Sequence, residues 1–529
     1  MRASVLPTAA IGYAMALLAG MASLWVTGAW AAGFSGADEP AHFLNAWFVA
    51  LYGREALGQN PLFFATEFYL HYPKLSIGHW PPAYYGLVAP VFWLLPATPR
   101  TALAVNLLVS ALSAMGVALL LNRLAGRGAA LAGAALWALS PLALEGFAFF
   151  MLDQPLAASA FAATIAWAAF RNRRKLLMVV LFSGLAALAI LIKGNGWLLV
   201  FVPPLHIALT GEWRMLRDWR VWAAAALGAA LVGPWYAATA GISADGFNYR
   251  PGPAYAAQAL FFNLQALAAN LGLALPLAAC GAAVEWRRRK ADAHRWSLVA
   301  ACIALVAATL VLQSLVPVDL DARYMAPAMP ACAVLAILGG LALLERLPSP
   351  AAAASALLVV PGLLHLALRE PKADLRLEEP AEAAEGAWLV DGGSGAEGAF
   401  AAAMAVRDPG LRNYAVRGSK LLSESDFMGR GYRSKFTAPG PVLAELGRLG
   451  IGGVVISGRT GVAPQPHTAL LREALRRPGS GYRLTAVYRY RNRPGASEVY
   501  RADRPVTANA AAIRALGLPE KLAPAGRRP

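Results

Sequence analysis

The sequence predicts an α-helical, polytopic membrane protein with a small soluble α/β domain towards its C-terminal end. Three observations predict it. Of the 529 residues, 58% are hydrophobic and only 15% charged, with a mean hydropathy of +0.49, a balance far from that of soluble domains of this length. Long apolar runs recur from Pro7 to Leu368, and short Arg/Lys clusters fall in every second connection between them. Beyond Leu368 the runs give way to mixed sequence with strand-like and helix-like periodicity.

The first run, Pro7 to Trp30, follows Arg2 and ends near Ala29-Trp30-Ala31, as a cleavable signal peptide would. It is longer than a signal peptide's apolar region and long enough to span, so it reads as an uncleaved first span. Further apolar runs lie at 101–122, 128–150, 153–170, 176–192, 196–210, 220–240, 260–283, 296–316, 325–344 and 350–368. That makes about eleven candidate spans, each obliged to satisfy its own backbone in lipid. The basic connections hold Arg123 and Arg127; Arg171, Arg173, Arg174 and Lys175; Arg214, Arg217 and Arg220; Arg287, Arg288, Arg289 and Lys290; and Arg346. Together with Arg2 they define one face, which the positive-inside rule assigns to the cytoplasm. The N-terminus is then cytoplasmic, and the C-terminal domain lies outside a cytoplasmic (inner) membrane.

The loop from 31 to 100 falls on the outer face. The stretch from Pro81 to Pro96 is apolar but short, with prolines at 81, 82, 90 and 96, and a complete span there would invert every later basic connection. It reads as re-entrant or in-plane. Apolar side chains between Ala41 and Leu57 recur at helical spacing, giving an aromatic-rich helix suited either to the headgroup zone or to packing on the bundle. The insert from Phe63 to Ile77 reads as an acceptor-site lining or a lid. After a linker at 370–385, strand-like pieces at 387–390, 453–456, 482–488 and 498–500, with an amphipathic helix at 442–449, outline a soluble domain over 386–505. The remainder, 506–529, reads as a disordered tail. The membrane domain is 1–369.

The net charge of +17 raises the question of nucleic acid, but the basic residues sit in separated clusters rather than on one face, so no nucleic-acid partner is expected. Cys280, Cys302 and Cys332 lie inside apolar runs at spacings that match no metal motif, and read as small core residues.

The charge pattern also places the isolated polar residues near span ends. Asp38, Glu39, His79, Asp153, Lys193, Asp319, Asp321 and Arg323 all fall on the outer face. Charges beside a bilayer are costly unless solvated or used. Each has an ordinary reading as well: Asp153 in Asp153-Gln154-Pro155 caps a helix, Lys193 snorkels, and Arg323 pairs with Asp319 or Asp321. His42 follows Asp38 by four residues, so the two share a helix face and offer two ligands to a divalent metal; no other cofactor is suggested. Together these residues set acids, a pair of cations and a wall of His79, Trp80 and Tyr84 with their neighbouring prolines at one membrane surface. Sugar transfer from a phospholipid carrier needs such a set, since a carboxylate must take the acceptor's proton and cations must stabilise the departing phosphate.

The ordered set Asp38-Glu39, His79-Trp80-Pro81-Pro82, Leu152-Asp153, Ile192-Lys193-Gly194 and Arg323-Tyr324 resembles the GT-C membrane glycosyltransferases. Over residues 5–345 it is similar in particular to the protein O-mannosyltransferases (glycosyltransferase family 39) and their bacterial relative, the lipid A aminoarabinose transferase. The resemblance implies a polyprenyl-phosphate sugar donor, transfer on the extracytoplasmic side, and inversion at the anomeric carbon. It implies catalytic roles for Asp38 and Glu39 with Asp153 as a second acid, and donor-phosphate binding by Lys193, Arg323 and Tyr324. Ile192 stands where the family commonly has Thr, and no β-trefoil repeats lie between spans, so a protein acceptor is not implied over a lipid or glycan one. Two other readings share much of this pattern. One is a transporter or flippase for the same carrier lipid, although repeated halves and midplane polar residues are lacking. The other is a membrane scaffold that binds a partner through its soluble domain, where Arg483, Arg489, Arg491 and Arg493 face either anionic lipid or plain solvent.

Overall fold

The computed structural model describes residues 5–517 apart from 174, 245–246, 346–347, 349 and 426–429. Arg2, Arg174, Arg346 and residues 518–529 of the expected tail lie outside the described residues.

The membrane part is a helical bundle. Helix α1 is Val5–Val26; the outer loop then forms α2 (Glu39–Glu55), α3 (Pro61–His71) and α4 (Ala83–Leu94). Next come α5 (Pro99–Ser110), α6 (Leu112–Ala138), α7 (Pro141–Ala148), α8 (Asp153–Arg173) and α9 (Leu176–Ile192). They are followed by α10 (Val202–Thr210), α11 (Trp219–Ala244), α12 (Pro253–Leu271), α13 (Ala274–Arg288), α14 (Ala293–Leu315), α15 (Met329–Leu343) and α16 (Pro350–Ala367). Among the described residues five stretches are long and apolar enough to cross a membrane, or six if α12 and α13, bent by 102°, form one span. The chain is a multi-pass membrane protein, with fewer uninterrupted spanning helices than the eleven apolar runs suggest. Apolarity does not report breaks. A 3-10 turn at Gly194–Val200 meets α10 at Phe201 to make one short stretch, Gly272 parts α12 from α13, and α9 is 17 residues long. Within α6, Gly126 at φ +86° turns the chain back on itself, so that a Cβ at Gly133 would meet Val117 and Leu121.

The basic connections share one end of the bundle. Arg295 pairs with Glu285 at 2.6 Å and donates to the Leu124 carbonyl, while Arg171 donates to the Ala293 carbonyl and pairs with Glu212. Asp38, Asp153, Lys193 and Arg323 gather away from that set. Helix α4, with Pro90 inside it, has 12 residues and is about 18 Å long, too short for a hydrocarbon core of about 30 Å.

The soluble part is a five-stranded sheet in the order β2-β1-β5-β7-β6, built from β1 (Ala387–Asp391), β2 (Tyr414–Arg417), β5 (Ile451–Arg459), β6 (Tyr482–Arg489) and β7 (Gly495–Ala502). A two-residue ladder joins β3 (Ser423–Glu424) to β4 (Arg433–Ser434) beside it. Strand β1 is parallel to both β2 and β5 and buried throughout, as the centre of an α/β sheet requires, whereas β7 and β6 complete the edge antiparallel. Helices α18 (Gly393–Arg407), α20 (Pro439–Leu449) and α21 (Pro466–Arg476) cover the sheet, and α17 (Glu378–Glu382) and α19 (Gly418–Leu421) are single turns. The expected tail begins in order: α22 (Ala510–Arg514) buries Ile513, and Arg514 pairs with Glu67 at 2.8 Å.

The insert, expected to line an acceptor site or act as a lid, docks this domain. On α3 and the turn after it, His71 bonds the Asn413 carbonyl at 2.7 Å and stacks on Tyr414, Tyr72 donates to Asp408 at 2.7 Å, and Leu70 joins the soluble domain's apolar core. Helix α2 is covered by α18 rather than by lipid, with Trp47 Nε1 donating to the Ala405 carbonyl.

Candidate active site

Four segments far apart in sequence converge. Asp38 sits at the N-cap of α2, Asp153 opens α8, Lys193 ends α9, and Arg323 stands in the 3-10 turn Ala322–Ala328 that leads into α15. The turn after Lys193 doubles back so tightly that a Cβ at Gly196 would lie 2.5 Å from the backbone at Ala189. Glycine there lets the Lys193 segment fold onto its own helix.

The charges alternate. Arg323 donates to Asp38 Oδ2 at 2.9 Å, and its Nε lies 2.9 Å from Asp321 Oδ2. Lys193 donates to Asp153 Oδ1 at 2.6 Å, and both of those side chains are buried. Both cations lie against the Tyr324 ring, Lys193 Nζ 4.8 Å and Arg323 Cζ 5.5 Å from its centre. Asp38 is 30% exposed and Arg323 28%, so this pair faces the open side of the cluster while Lys193 and Asp153 lie beneath. Burial alone would raise the Asp38 carboxyl. The charge and hydrogen bond of Arg323, with smaller help from His42 and Lys193, outweigh burial and hold it below its usual value.

Glu39, next to Asp38, is spent on the frame. Its Oε2 accepts from the backbone N–H groups of Ser35 and Gly36, and its Oε1 from Phe150 N–H at 3.0 Å and from Lys372 Nζ at 2.7 Å. Both Glu39 and Lys372 are buried, and Lys372 also donates to the Ala148 carbonyl. This clasp ties the loop before Asp38, the turn before α8 and the inter-domain linker to one carboxylate. Lys372 is absent from the sequence-based site. A single lysine in a linker carries no signal, and only the burial of Glu39 demands it.

The wall residues separate. His79 and Trp80 are half-buried, and Trp80 lies against His42 with ring centres 4.4 Å apart. Tyr84 is fully buried and donates to Asn106 Oδ1, so its side chain is a core member and not part of an open acceptor wall. His42 is buried with Nδ1 bonded to the Tyr85 hydroxyl at 2.9 Å, and burial pushes its imidazole down to about 3 against the pull of Asp38. Among the described residues no three His, Cys, Asp or Glu side chains converge as metal ligands, and the Asp38 oxygen that His42 was expected to share a metal with holds Arg323. Lys74, from the insert, donates to Ser394 at the start of α18; burial, with Arg417 nearby, lowers its amine to about 7.

No family model and no curated protein matches the chain. Among the solved structures that share its fold are those of ArnT from Cupriavidus metallidurans in the apo state and bound to undecaprenyl phosphate. Each has a TM-score of 0.56 at 14% identity, covering 93% of this chain and 97% of that chain. In fold the chain is similar to ArnT across both the helical bundle and the soluble domain.

Proposed function

We propose that this chain is an inverting membrane glycosyltransferase of the GT-C kind, moving a sugar from a polyprenyl-phosphate donor to a hydroxyl acceptor on the extracytoplasmic face. The observation that carries the reading is the half-exposed Asp38–Arg323 pair at 2.9 Å, with the buried Lys193–Asp153 pair beneath it. The fold shared with a protein solved with undecaprenyl phosphate supports the donor class.

In an inverting displacement the base and the leaving group stand on opposite sides of the anomeric carbon, so Asp38 and Arg323 have to part to admit the sugar. The donor phosphate supplies the cause, since it competes with Asp38 for the guanidinium. Asp38, relieved of Arg323, becomes more basic and takes the acceptor's proton. The acceptor oxygen then bonds the anomeric carbon, and the carbon–oxygen bond to the carrier breaks. Its electron pair leaves on the phosphate, held by Arg323, with the positive charge of Lys193 beneath adding to the field. Asp153 keeps Lys193 charged and aligned, and Glu39 positions the Asp38 backbone. The test is transfer of labelled sugar from membranes charged with polyprenyl-phosphate donors, wild type against Asp38→Asn at matched expression. A labelled product in the wild type alone supports the enzyme. Label crossing the membrane still on its carrier, unaffected by Asp38→Asn, overturns it in favour of a flippase.

A further inference from the structure

A cavity lies apart from the charged cluster. It measures about 600 Å³, within the roughly 300–1,000 Å³ of small-molecule sites, and contains none of Asp38, Asp153, Lys193 and Arg323. Its walls come from the segment after α1, the start of α5, the linker and α18. Most of them are apolar, including Phe34, Phe43, Leu375, Leu377, Ala403 and Val406.

Two features say what fills it. The first is its flank. Trp93, Leu94 and Leu95 are 50%, 84% and 54% exposed and run directly into Pro96 of the lining, and Trp25 at the end of α1 is 83% exposed beside the lining residue Trp30. Exposed apolar and aromatic side chains of this kind belong to the interfacial belt of a bilayer, so the cavity adjoins lipid. The second is a pair of opposite charges that do not meet. Arg100 spends only Nε, on the Trp30 carbonyl. Glu378, exposed at the rim and standing against Gly33, has no hydrogen bond and no ion pair among the described residues. Arg100 acts on Glu378 through space, while partial burial and the like charges of Asp374 and Glu379 raise the Glu378 carboxyl above its usual value.

We propose that this cavity holds one phospholipid whose headgroup ends in a primary ammonium, its phosphate on Arg100, its ammonium on Glu378, and its acyl chains leaving past Trp30 and Pro96 into the bilayer. The bound lipid seals the seam between the bundle and the soluble domain behind the Asp38 loop. This does not rest on the transfer reaction. The test uses the full chain purified in detergent, washed, and assayed by mass spectrometry for retained lipid, followed by rebinding from nanodiscs of phosphatidylethanolamine, phosphatidylcholine or phosphatidylglycerol. The wild type should retain phosphatidylethanolamine near one per chain and prefer it to the other two. Ala403→Trp, which fills the cavity, should lower retention by about tenfold or more, the equivalent of 1.4 kcal/mol. Glu378→Gln should abolish the preference for the amine over choline. Should Ala403→Trp fail to fold, Arg100→Ala at the exposed rim serves, and is expected to weaken all three lipids. Equal binding of the three lipids by the wild type, or retention unchanged in Ala403→Trp or Arg100→Ala, would overturn the proposal.

Discussion

Asp38 and Glu39 are neighbours with opposite fates, decided by what each oxygen touches. Asp38 gives one oxygen to Arg323 and keeps a half-exposed carboxylate, whereas Glu39 accepts four hydrogen bonds in a buried clasp. Asp38→Asn is therefore expected to cost about 10²- to 10⁴-fold in transfer rate with little loss of stability, checked by initial rates and thermal unfolding on the same preparation. At Glu39 the expectation is reversed. Glu39→Gln or Lys372→Met leaves one buried charge without its partner and should destabilise by about 3–5 kcal/mol, while the double variant, which removes both charges, should lose less than the two singles added together. Denaturation of the four proteins in one detergent decides it, and strict additivity would contradict the clasp.

At the scale of elements, the helix–helix contacts and the 63–77 insert each turn on a few atoms. Helices α13 and α15 touch through Gly281 and Gly339, where a Cβ would lie 2.2 Å from the Leu335 carbonyl oxygen and 1.9 Å from that of Leu277. Such close approach is the means by which small residues pack helices in lipid, so Gly339→Val should part the pair and lower the unfolding temperature, whereas Gly86→Val, at a position with no neighbour, should not. In the insert, burial lowers the Lys74 amine to about 7 from its ordinary 10.5. Between those values the unfolded chain holds the extra proton, so this group's contribution makes stability rise with pH, and below about 7 the slope vanishes. The difference in unfolding temperature between wild type and Lys74→Met should accordingly move in favour of the wild type as pH rises from neutrality. A difference that stays flat would contradict the buried amine.

Across the whole molecule, polar residues at the ends of apolar runs were the most legible part of the sequence. Burying a charge beside a bilayer is expensive, so Asp38, Asp153, Lys193 and Arg323 announced themselves and are brought together. The parallel core of the soluble domain was legible at β1 and β5, whose continuous apolar stretches admit few alternatives, but β2 was missed because Tyr414–Arg417 is a four-residue strand with no alternation. Fewer uninterrupted spanning helices than apolar runs are found because Gly126 and Gly272 break helices without interrupting apolarity. The burial of Tyr84 and the role of Lys372 were out of reach for another reason: an aromatic in the first turn of a short helix and a lysine in a linker acquire their surroundings from contacts elsewhere in the chain, at Asn106 and Glu39. What remains central is the division of labour between a base and a phosphate-binding cation that hold each other in the resting site. The most direct measurement is equilibrium binding of a polyprenyl phosphate without sugar to the wild type, Asp38→Asn and Arg323→Gln, with transfer rates on the same samples. The account predicts that Asp38→Asn, which frees Arg323, binds the phosphate at least as tightly as the wild type while losing transfer, and that Arg323→Gln loses both. Loss of phosphate binding in Asp38→Asn, or its survival in Arg323→Gln, would contradict it.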